Sequence, residues 1–97
     1  MRTVESGSRR PGLEESFGRA VRDRRREVGM TQARLAELAG MSQAAISRLE
    51  RGRCMPTLYL LEKLASALDS VLFVAMGPSR RVAVDFRACP ERAEPAG

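Results

Sequence analysis

The chain has 97 residues, of which 43% are apolar and 30% charged, and 17 basic against 12 acidic side chains give a formal charge of +5. A chain of this length supports one domain with a thin core, and a basic balance favours polyanionic partners because neutralised phosphates release condensed counterions. There is no histidine, Cys54 and Cys89 stand far apart as free thiols, and no nucleophile has a base beside it, which excludes an enzyme and a metal site and leaves no cofactor to expect.

Residues 1–12 mix Ser, Gly, Arg and Pro with little to bury, which predicts a flexible arm. No apolar stretch follows Arg2 as a leader would require, and the longest apolar run, Val71 to Met76, is too short to cross a bilayer, so a cytoplasmic protein is expected. A first helix is predicted from Leu13 to Val28, with Leu13, Phe17, Ala20, Val21 and Val28 in one apolar stripe and Gly29 ending it. Thr31 offers an N-cap for a second helix, Gln32 to Ala39, that buries Leu35, Ala36 and Ala39. Arg34 stands where a capping box would place Glu, so the cap is a simple one. Gly40 and Met41 connect to a third helix, capped by Ser42 and reaching Arg51, where Gly52 closes it. Pro56 interrupts, and a fourth helix beginning at Thr57 carries Leu61, Leu64, Ala65 and Leu68 on one face.

After Asp69 the period changes. Val71 to Met76 is continuously apolar, Gly77-Pro78-Ser79 is turn chemistry, and Val82, Val84 and Phe86 alternate with Arg81, Ala83 and Asp85. The organisation is therefore a helical domain over 13–69, a β-hairpin over 70–87 and a flexible tail over 88–97. A lone hairpin is marginal in water, so this one either packs onto the helices or is completed by a second chain. The second option makes Val71, Phe73, Val82, Val84 and Phe86 the dimerisation residues of a shared four-stranded sheet.

Two short helices joined by three or four residues must cross steeply to pack. Ala36 is small at the crossing, Gly40 can take the left-handed conformation of the sharp turn, and Met41, Ile46 and Leu49 fill the space between the helices. Ile46 and Leu49 mark the buried side of the third helix, leaving Gln43, Ala44, Ser47, Arg48 and Arg51 on the opposite stripe. Arg25 falls on the apolar stripe of the first helix and Glu50 on that of the third. Two opposite charges pointing at one core are most simply a salt bridge between the helices.

Taken in order, Thr31-Gln32, Leu35-Ala36, Gly40, Ser42, Ile46-Ser47, Leu49-Glu50, Gly52 and Pro56 resemble the Cro/repressor (Xre-type) helix-turn-helix family, over a stretch from Arg22 to Leu68. The resemblance implies a mainly α fold, a lambda-repressor-like bundle of four short helices, here with a C-terminal β-hairpin. It implies a sequence-specific, DNA-binding transcriptional regulator whose third helix lies in the major groove, and it places an ion pair at Arg25 and Glu50. Base contacts then fall to Gln43, Ala44, Ser47 and Arg48: an amide suits adenine, a methyl suits thymine and a guanidinium suits guanine. Phosphate contacts fall to Gln32, Ser42, Arg51 and Arg53, with Arg22, Arg9 and Arg10 as further candidates.

A single recognition helix reads few bases, so a homodimeric repressor on a palindromic operator in double-stranded DNA is expected, with no membrane partner. A strand after the fourth helix also resembles the antitoxin branch of the family, which implies a toxin protein as an alternative partner. A protein-interaction module without DNA binding is the remaining reading; it would require an acidic or apolar third-helix face, against Gln43, Ser47 and Arg48.

Overall fold

The computed structural model describes residues 12–79 and 81–89, so residues 1–11 of the expected arm, with Arg9 and Arg10, and residues 90–97 of the expected tail lie outside the described residues. Four helices, α1 (Leu13–Glu27), α2 (Gln32–Ala39), α3 (Gln43–Glu50) and α4 (Leu58–Ala67), precede two strands, β1 (Ser70–Gly77) and β2 (Arg81–Ala88). No described helix is long and apolar enough to cross a membrane.

Hydroxyl caps set three of the helix starts. Thr31, Ser42 and Thr57 accept hydrogen bonds from the N–H groups of Arg34, Ala45 and Leu60 at 3.0, 3.1 and 3.1 Å; each such cap is worth about 1 kcal/mol. The start of α1 is held differently. The Gly12 N–H donates to the Glu15 carboxylate at 3.0 Å, and Glu14 and Glu15 lie at the positive end of the helix dipole. Between α2 and α3, Gly40 adopts φ 70°, and the Met41 N–H reaches back to the Ala36 carbonyl at 2.9 Å. A side chain at Gly40 would strain this left-handed turn, which reverses the chain within a few residues.

The core is built from Ala20 and Val21 of α1, Leu35, Ala36 and Ala39 of α2, Ile46 and Leu49 of α3, Leu64 and Leu68 at α4, and Phe86 of β2. Each large member contributes about 1.5–3 kcal/mol through burial. Where α1 crosses α3 the contact is backbone against backbone. A Cβ at Gly18 would collide with the Leu49 carbonyl oxygen and approach that of Glu50 to 3.0 Å.

The strands pair antiparallel, with Leu72 opposite Phe86, Val74 opposite Val84 and Met76 opposite Val82. This set of side chains points toward the helices at the Phe86 end, where Leu72 and Val84 pack against the core. Two expectations are corrected. Phe86, expected at a dimer seam, is buried in the core of its own chain, because the helix-facing side of the hairpin closes the bundle. Val28, placed on the apolar stripe of the first helix, is exposed, since α1 ends at Glu27 and the chain turns away at Gly29.

In an open helix position, Gly18→Ala would gain up to about 1 kcal/mol from propensity. The collision with α3 reverses the sign. We expect a net loss of about 1–3 kcal/mol, measured by urea denaturation; a more stable variant would show that α1 and α3 are not in backbone contact.

Candidate nucleic-acid interface

The site is governed by a carboxylate in the interior. Glu50, the last residue of α3, is 5% exposed, and a negative charge at a helix C-terminus is opposed by the helix dipole. Arg25 of α1 answers it with two bonds, Nε to Oε2 at 2.7 Å and Nη2 to Oε1 at 2.9 Å. The third nitrogen, Nη1, donates to the Met30 carbonyl at 2.9 Å, fixing the turn between α1 and α2. Gln32, the first residue of α2, adds its Nε2 to Glu50 Oε1 at 3.1 Å. One carboxylate thus joins three helices. Hydrogen bonding to Glu50 raises the pKa of Arg25 above its ordinary value, with the charge of Glu50 adding to this and burial opposing it, so the guanidinium remains charged at any working pH.

This clamp fixes which side of α3 faces out. Ile46 and Leu49 are fully buried, while Gln43, Ala44 and Arg48 are exposed and Ser47 is half-buried. Ser47 accepts a hydrogen bond from Arg51 Nη2 at 3.0 Å, so these two residues, one turn apart, act as a pre-ordered pair. Arg53 is exposed in the following turn, where its N–H donates to the Arg48 carbonyl at 3.0 Å. Exposed amide and guanidinium groups on a helix 8 residues long can present donors and acceptors to base edges.

The residues expected at phosphate divide into two groups. Arg51 and Arg53 project from the end of α3 and the loop after it, and Ser42 sits at its start with its oxygen engaged in the cap. Gln32 is half-buried and turned toward Glu50, with one amide hydrogen already committed. Arg22 is half-buried as well, and its Nε is shielded without a protein partner. Among the hairpin residues Val71, Val82 and Val84 are half-buried and Phe73 is exposed, with the Arg87 guanidinium 4.6 Å from its ring centroid.

Sequence reasoning did not anticipate Lys63. Its Nζ lies 5.2 Å from the Tyr59 ring centroid and 3.6 Å from where a Gly40 Cβ would be, which places a cation at the negative end of α2. The spacing of Tyr59 and Lys63, four apart on one helix, was the available signal.

The model of the helix-turn-helix family matches residues 21–72. An uncharacterized HTH-type transcriptional regulator of Methanothermobacter thermautotrophicus is 44% identical over 48 residues, covering 50% of this chain and 70% of that protein. The HTH-type transcriptional repressor RghR of Bacillus subtilis is 46% identical over 55 residues, covering 56% of this chain and 41% of its own length. Among solved structures, the clp gene regulator ClgR from C. glutamicum superposes with a TM-score of 0.60 at 39% identity, over 61% of this chain and 77% of that one.

Replacing Arg25 with Leu would leave the buried Glu50 carboxylate without its strongest partner. We expect a loss of about 3–5 kcal/mol and a clearly lowered Tm by calorimetry; an unchanged Tm would mean that the pair contributes nothing to stability.

Proposed function

The chain belongs to the helix-turn-helix family of DNA-binding transcriptional regulators, and on that footing we propose that it acts as a dimeric repressor at a palindromic operator. The observation that carries the reading is the outward face of α3: Gln43, Ala44 and Arg48 stand exposed on a helix whose other side is buried and clamped through Glu50. Seated in the major groove, Arg48 donates twice to a guanine edge, Gln43 bridges an adenine, and Ala44 meets a thymine methyl. The hydroxyl of Ser47, oriented by Arg51, supplies a further contact. Each good bidentate pair discriminates against the wrong base by about 1–3 kcal/mol.

Arg53, Arg51 and Ser42 hold the backbone, and the remaining N–H of Gln32 at the positive end of α2 joins them. The chain's charge of +5 supplies the sequence-independent part of the attraction. Repression is supported by the repressor among the relatives. The dimer is supported by specificity, since two half-sites one helical turn apart read enough sequence to be rare in a genome.

Binding-site selection from random duplexes should return a palindrome, and affinity should fall steeply as salt rises. Arg48→Ala should relax preference at one base position per half-site, whereas Arg53→Ala should weaken every sequence alike. Selection that returns no preferred sequence would overturn the reading.

A further inference from the structure

The two strands of the hairpin differ in how they are covered. Along β2 exposure alternates: Val82 and Val84 are half-buried and Phe86 is buried, while Arg81, Ala83, Asp85 and Arg87 face solvent. Along β1 exposure does not alternate: Ser70, Val71 and Leu72 are half-buried and every residue from Phe73 to Gly77 is exposed. Phe73, Val74 and Met76 remain 47%, 41% and 66% exposed, although Val74 and Met76 lie on the same side as the buried Phe86. Leu13 and Glu14 of α1 and Met55 come near the far end of the strand around Met76, and Arg87 lies over Phe73, yet Phe73, Val74 and Met76 all stay exposed. Among the described residues the outer edge of β1 is unpaired too, because their sheet has two strands in the order β1-β2. The family match ends at Leu72, so the bare segment belongs to the part of the chain outside the helix-turn-helix module.

An unpaired apolar edge without charge is a template for another strand. We infer that the outer edge of β1 pairs antiparallel with the same edge of a second copy, centred on Val74, forming a four-stranded sheet in the order β2-β1-β1-β2. This rests on the dimeric reading above and specifies how the dimer is made. Charge selects the edge. Ser70 to Gly77 contains no ionisable residue, so two copies meet there without repulsion despite a net +5 on each chain. Pairing through β2 about its middle would set Arg81 opposite Arg87 when centred on Val84, or Asp85 opposite itself when centred one residue on; like charges directly opposite destabilise a sheet.

The register follows from the bare segment. Centring on Val74 places Leu72 opposite Met76 and Phe73 opposite Ala75, so exposed side chains of one copy cover those of the other. A two-fold axis through Val74 closes the assembly and leaves no apolar edge to recruit a third chain. Eight residues of strand per copy make a small interface, at the weak end of specific associations. The dimer is therefore weak in free solution and is completed on the operator.

In a Cys54→Ser, Cys89→Ser background, Val74→Cys places two thiols across the axis with Cβ atoms about 4.5–5.5 Å apart, near the reach of a disulfide. Mild oxidation should convert this variant to covalent dimer, while Ala83→Cys on β2 should stay monomeric on denaturing gels, with native circular dichroism checked for both. Val74→Lys should shift the uncrosslinked protein to monomer in sedimentation without loss of helix signal. Dimer in sedimentation with no cross-link at position 74, or with one at position 83, overturns the edge assignment while leaving a dimeric repressor intact. Wild-type protein that stays monomeric at high concentration, and binds a half-site as tightly as a palindrome, overturns both.

Discussion

An ionised carboxylate inside a small protein is tolerated only when its lone pairs are met, and Glu50 is the group to which the rest of the interface is adjusted. Its partners come from two other helices, the middle of α1 through Arg25 and the start of α2 through Gln32, and Arg25 in turn donates to the Met30 carbonyl in the α1–α2 turn. Each helix on its own is short, and isolated helices of such length are marginal in water. The ion pair gives three of them a common reference point, so the outward stripe of α3 is held before any ligand arrives. Ordering that would otherwise weaken binding is completed during folding.

Much of this was legible in the sequence because it is written in local chemistry. Thr31, Ser42 and Thr57 announce helix starts through an oxygen that accepts the third N–H onward, and Gly40 announces a turn that other residues resist. Arg25 and Glu50 were conspicuous because charge fell where the helical period demanded apolar side chains. What was not legible depends on a second element. Gly18 gives no signal in its own helix, since its meaning lies in the α3 backbone above it. The hydrogen bond from Gln32 to Glu50 joins residues from different helices, and no period predicts it. Alternation in β2 identified a buried face but not whether helices or a second chain would bury it, and for Phe86 the helices do.

The hairpin shows how an accessory element is attached to a complete module. Two strands alone lack a core, and this pair borrows one by inserting Phe86 and Leu72 beside α1 and α4. Anchoring at the base leaves the other end under different rules. There an uncharged β1 with Phe73, Val74 and Met76 exposed runs beside a charged β2.

The bare contact at Gly18 bears on how such a protein can change its target. With main chain resting on main chain, α3 has no cushion of side-chain atoms in which to tilt or slide. If α3 reads bases as proposed, divergence is channelled into exchanges at its exposed positions, one letter at a time, with the scaffold left untouched. On that reading a new preference could be grafted by rewriting the stripe alone, whereas re-aiming the helix would require rebuilding the bundle.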